Sequence, residues 1–133
     1  MTKTAWAHLP NAAHIDRILA SLAAHPEKWE AAWTETQTAT YIEARNAAWN
    51  AAWSASRTAA WNAARTAART AARGAARGAA YIEARTAITA LVAWDDCAYM
   101  LELPEDTLKV LRAVGNEQAL LLSVAAKILK ETS

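Results

Sequence analysis

Phenylalanine is absent from this 133-residue chain, and glycine and proline occur only three times each. So few turn formers exclude the evenly spaced turns of an all-β protein. A single cysteine, Cys97, excludes an intrachain disulfide and a paired-cysteine zinc site, and it suits a reducing compartment. His8, His14 and His25 are the only histidines, none of them three or four residues from another. A two-histidine metal site on one helical turn is therefore not expected. The uncharged, apolar stretch 86–94 is too short to cross a bilayer. The amino-terminal segment lacks the apolar centre of a signal peptide, so a cytoplasmic location is expected. Glycine-rich phosphate loops, serine elbows and carboxylate–histidine helix motifs are missing too. The expectation is a protein that is not an enzyme, with no catalytic residues, no metal and no cofactor.

Acids are missing from one region in particular. Residues 45–85 hold seven arginines (Arg45, Arg57, Arg65, Arg69, Arg73, Arg77 and Arg85) against the single acid Glu83. From Asp95 onward seven acids face four bases, so a net charge of +1 conceals a basic middle and acidic flanks.

Alanine is plentiful. It supplies 37 residues of a 54% hydrophobic content, and without it about a quarter of the chain is large and apolar. A core that thin is expected to gain stability by association, so a homo-oligomer or another protein partner is anticipated. Seven tryptophans carry most of the aromatic surface.

The pattern predicts one all-α domain over residues 1–133, a helical bundle with a long Ala-rich tetrad-repeat region and a C-terminal helical hairpin. A first helix is expected over 11–25. Asn11 is placed as its N-cap, and Ile15, Ile18, Leu19 and Leu22 recur at helical spacing. Pro26 suits the first turn of the next helix, with Glu27 at its positive end. Residues 26–103 form the repeat region. The hairpin over 104–133 starts at Pro104, with Leu108, Val110, Leu111 and Val114 as its expected buried side. Gly115 is placed as a C-terminal cap and Asn116 as the next N-cap.

Every fourth residue from Trp29 is large: Trp29, Trp33, Gln37, Tyr41, Arg45, Trp49, Trp53, Arg57, Trp61, Arg65, Arg69, Arg73, Arg77, Tyr81 and Arg85. From Arg45 a small polar residue and then an alanine pair mostly follow each one. The run Tyr-Ile-Glu-Ala-Arg at 41–45 returns at 81–85. Four residues turn an ideal helix by about 400°, so the large-residue line drifts about 40° per tetrad. One straight helix over 26–103 would measure roughly 117 Å, and its line would circle the axis. The region must break or be wrapped, and a break near 74–78 is expected at Gly74 and Gly78. The alanine pairs leave a smooth side that lets another helix approach closely.

The sharpest functional candidates are Trp49, Trp53, Arg57, Trp61, Arg65, Arg69, Arg73, Arg77 and Arg85. Arg65, Arg69, Arg73 and Arg77 have no acid three or four residues away, so local helix pairs do not consume them. Arginines among indole rings suit a protein interface. They also suit nucleic acid, with guanidiniums on phosphates and rings on bases, although a near-neutral net charge is not the usual footprint of that class. The plainer alternatives are a solvated arginine face neutralised by the acidic flanks and a tryptophan stripe that only packs.

The tetrads Trp49-Asn50-Ala51-Ala52 and Arg65-Thr66-Ala67-Ala68 resemble those of Ala-rich tetrad-repeat helical proteins of bacteria and phages, some described as immunity proteins. That resemblance spans about residues 29–85 and carries no active-site residue. It implies a phage or mobile-element protein that acts by binding, or inhibiting, another protein.

Overall fold

The computed structural model describes residues 5–32, 39–53, 57–72 and 77–132. Among them are seven α-helices and no strand: α1 (Ala12–Ala24), α2 (Pro26–Ala32), α3 (Ala39–Ala52), α4 (Thr58–Ala72), α5 (Arg77–Ala93), α6 (Glu105–Ala113) and α7 (Glu117–Thr132). A short 3-10 helix, Ala98–Glu102, precedes α6. The chain is all-α, as its composition implies.

The repeat region, 26–103, runs through α2, α3, α4, α5 and the 3-10 helix, with its Ala-pair tetrads on α3, α4 and the start of α5. The expected break at 74–78 falls partly on residues 73–76, outside the described residues. Gly78 itself lies in the first turn of α5. The helices also part between α2 and α3 and between α3 and α4, where residues 33–38 and 54–56 lie outside the described residues and no glycine marks either place. At 14 to 17 residues these helices are roughly 21 to 26 Å long. That length limits the 40° drift to three or four tetrads per helix, so one line of residues can stay against a neighbour throughout.

The line that stays inside is alanine. Ala44, Ala48 and Ala52 on α3, Ala60, Ala64, Ala68 and Ala72 on α4, and Ala80 and Ala84 on α5 are all buried. Each occupies the position just before a large residue. The smooth side is therefore used within the chain: α4 packs on α1 and α5, and α3 on α5 and α7.

Helix α5 is the axis of the bundle, touching α1, α2, α3, α4 and α7. Its second half, residues 86–92, is buried on every side. The last carbonyls of such a helix end need partners besides water. Distant side chains provide them. The Asn11 amide donates to Leu91 O at 2.9 Å and Trp94 O at 2.8 Å, and Arg57 donates to Val92 O at 2.6 Å. Asn11 does occupy the position before α1, but its side chain makes no cap bond there. Its amide closes α5.

Ile15, Ile18 and Leu22 bury one face of α1, and Trp29 of α2 is fully buried with its indole N–H on Ser21 Oγ at 3.0 Å. At the other end Gly115 takes φ +79°, and Asn116 N–H bonds back to Leu111 O at 2.9 Å. The Asn116 carboxamide oxygen then accepts from Ala119 N–H at 2.9 Å and caps α7. Helix α7 contributes Leu121, Leu122, Ile128 and Leu129 to the core. Helix α6 contributes less than its sequence suggests. Leu108 is buried and Leu111 partly so, whereas Val110 and Val114 are exposed. They lie about 200° and 240° round the helix from Leu108, on the side away from α7.

Candidate functional site

Helices α4 and α5 run antiparallel. Arg57 meets Val92 and Asp95, Trp61 meets Thr89, and Arg69 lies on Tyr81, so partner numbers fall as position in α4 rises. Helix α3 follows the direction of α5: near its start the Tyr41 hydroxyl reaches Glu83, and near its end Trp49 borders the same cleft as Thr89. These three helices enclose a depression of about 240 Å³ whose lining includes Arg45, Trp49, Trp61, Arg65, Arg85 and Thr89. Among the described residues no carboxylate lines it.

Its geometry is built ring by ring. Trp61 is buried, and its indole N–H donates to Thr89 Oγ at 2.9 Å. That hydroxyl in turn donates to Arg85 O at 2.7 Å. Two further indoles lie against Trp61: Trp49 with centroids 6.0 Å apart, and Trp53 at 5.7 Å. Both outer rings are exposed, Trp49 by 46% and Trp53 by 52%. The tryptophan stripe thus splits into one anchor and two surface rings. The Arg65 guanidinium lies over Trp61 at 4.8 Å, and Arg85 and Arg69 lie over Tyr81 at 5.4 and 5.5 Å.

Stacking fixes a guanidinium while leaving its in-plane N–H groups free to donate. Among the described residues, Arg45, Arg65 and Arg85 have no acidic partner. Arg57 differs. It forms a two-bond pair with Asp95, at 2.7 and 3.0 Å, besides its bond to Val92 O. That hydrogen-bonded pair raises the Arg57 pKa and lowers that of Asp95. One arginine of the line is therefore neutralised by the acidic flank. Glu102 pairs with Arg17 instead, at 3.1 Å.

The nine candidates do not act as one line. Trp49, Trp61, Arg65 and Arg85 share the cleft, Trp53 covers Trp61, Arg57 is diverted to Asp95, and Arg69 shares the Tyr81 ring with Arg85. Arg73 and the side chain of Arg77 lie outside the described residues. Arg45 joins the cleft and was not among the candidates. The signal that finds it is a spacing of twenty: Tyr41/Arg45, Trp61/Arg65 and Tyr81/Arg85, an aromatic residue followed four later by arginine. The arginine of each pair falls at the middle of its helix, so the three meet whichever way the helices run.

Comparison finds no match for this chain. Family models, curated proteins and solved structures were each compared, and none corresponds to it. Function must be read from the site itself.

The remaining polar features offer less. The Cys97 thiol is buried, bonded to Trp94 O at 3.2 Å, and its pKa is pushed up to about 12 by burial, with Asp96 and Asp95 nearby adding to the rise. A thiol held neutral is a poor nucleophile. A second depression of about 230 Å³ between α6 and α7 mixes Glu105 and Glu131 with Arg112, Lys127 and Lys130, so it selects no charge. Among the described residues no group of three metal-ligating side chains occurs, and no helix is long and apolar enough to cross a membrane.

Proposed function

We propose that this chain is a non-enzymatic binding protein that docks another protein on the face formed by α3 and α4. One observation carries the reading. Two half-exposed indoles, Trp49 and Trp53, are held against a buried third beside guanidiniums that have no acidic partner. Tryptophan and arginine dominate the residues whose loss costs a protein interface most, because they combine a large apolar area with directed donors. An indole held rigidly by its neighbours loses little side-chain entropy on binding. The likeness of the tetrads to those of immunity-type proteins fits a role in which binding blocks the partner.

A second reading has its own support. Exposed indoles beside arginines are also what single-stranded nucleic acid stacks on. Asp95 and Asp96, exposed at one end of this face, weigh against a long polyanion.

The test compares the wild type with W49A/W53A as immobilised baits. Proteins retained only by the wild type are then purified and titrated. A loss of at least a hundredfold in affinity supports the proposal. Equal binding by both baits contradicts it. Self-association is checked by light scattering across a concentration series. Tight binding of oligothymidylate, falling steeply with salt, would favour the second reading.

A further inference from the structure

We infer that the cleft between α3, α4 and α5 receives an acidic segment of the partner, one of its carboxylates seated among Arg45, Arg65 and Arg85. The inference rests on the docking proposal and names the chemistry of the docked group. Three polar groups at the cleft are already engaged with the protein. The Trp61 indole N–H is bonded to Thr89, and the Thr86 and Thr89 hydroxyls donate to Ile82 O at 2.8 Å and Arg85 O at 2.7 Å. The Arg65 and Arg85 guanidiniums lie over the Trp61 and Tyr81 rings, and neither makes a hydrogen bond or ion pair with a described residue. Three positive charges thus meet at one depression with no carboxylate among its described lining residues. An anion there relieves their mutual repulsion and gains charge-assisted hydrogen bonds.

Size and layout choose the occupant. About 240 Å³ is below the roughly 300–1,000 Å³ of small-molecule sites and suits one or two side chains. A nucleic-acid strand would need basic groups repeated along a track. Here the next arginine past the rings, Arg57, already holds the Asp95 carboxylate, and the exposed Asp96 follows it. On that side the positive field ends, and on the other Arg69 lies over the Tyr81 ring beside Arg85. The Arg57–Asp95 pair also shows that an arginine of this line takes a carboxylate in the two-bond geometry.

The test is a titration of the full chain followed by NMR of the arginine Nε–H and indole Nε1–H signals. The probes are a six-residue glutamate peptide, a six-residue lysine peptide, a six-nucleotide oligothymidylate and inorganic phosphate. The glutamate peptide should shift Arg45, Arg65, Arg85 and Trp49 together, and the lysine peptide should shift none of them. R45Q/R65Q/R85Q should weaken glutamate-peptide binding at least tenfold, whereas R17Q/R112Q should not. Arg65 and Arg85 also pack on rings, so R45E serves as the variant that leaves both stacks intact, and it should weaken binding by a similar factor. No shift with the glutamate peptide, or tighter binding of oligothymidylate or phosphate, overturns the inference. A partner lost by W49A/W53A but kept by R45E also overturns it while leaving the docking proposal standing. Loss of the partner by R45E alone supports the cleft and removes the two exposed rings as its anchor.

Discussion

Replacing Asn11 by alanine tests whether the far end of α5 is closed by a residue eighty positions away. The Asn11 carboxamide is 3% exposed and uses both of its N–H groups, one on Leu91 O at 2.9 Å and one on Trp94 O at 2.8 Å. Alanine removes both donors, leaving Leu91 O buried without this partner while Trp94 O keeps only the weak bond from the Cys97 thiol at 3.2 Å. A buried acceptor without a partner costs about 1–3 kcal/mol. Trp94 O is only part-buried, so water can replace that bond more cheaply than the one to Leu91 O. The expected loss is about 2–4 kcal/mol. For a domain of this size that lowers Tm by roughly 6–16 °C. Asn11→Asp should be worse, because a carboxylate would face two carbonyl oxygens with no proton between them. Urea denaturation followed by circular dichroism gives the difference directly. A loss below about 0.5 kcal/mol for Asn11→Ala, or Asn11→Asp as stable as the wild type, would refute the reasoning.

Two pH effects follow from other groups. Cys97 has its pKa raised to about 12, so the folded state keeps a proton that an unfolded thiol gives up near 9. Stability should be unaffected by this group at neutral pH and should fall as pH rises from about 9 towards 12. Cys97→Ala should flatten that decline, and a thiol reagent near pH 8 should label the native protein only as fast as it opens. Asp95 has the opposite sign. Its pKa is depressed by the Arg57 hydrogen bonds, so its stabilising contribution is present above the ordinary carboxylate value and lost as pH falls through the lowered one. The Tm difference between wild type and Asp95→Asn should therefore be seen near neutrality and close in strong acid. A difference that persists unchanged in acid would remove the ion pair as its cause.

Helix class was legible because little in the chain can break a helix and alanine dominates it. The interruptions were harder to place. The one between α3 and α4 carries no glycine or proline. Gly78 drew attention as a breaker yet lies within α5, where alanines on either side favour the helix. The end of α5 was illegible from local sequence. Asn11 looks like an N-cap, but it closes a helix distant in the chain, and only tertiary packing brings the two together. At the candidate site Trp49, Trp61, Arg65 and Arg85 stood out individually. Arg45 and the convergence of the three arginines did not, because a spacing of twenty becomes a juxtaposition only when each unit is one helix and its turn.

Each described tetrad turns inward the alanine just before its large residue. The most direct measurement is the stability of two neighbouring substitutions, Ala64→Leu and Arg65→Leu. Ala64 is fully buried, so three added carbons have no room and should cost about 2 kcal/mol or more. Arg65 is half-buried beside the Trp61 ring, so leucine there should cost only the stacking contact, about 1 kcal/mol or less. Denaturation midpoints should place Ala64→Leu clearly below Arg65→Leu, with Arg65→Leu still folded. The reverse order, or an Ala64→Leu protein as stable as the wild type, would contradict the placement of the repeat.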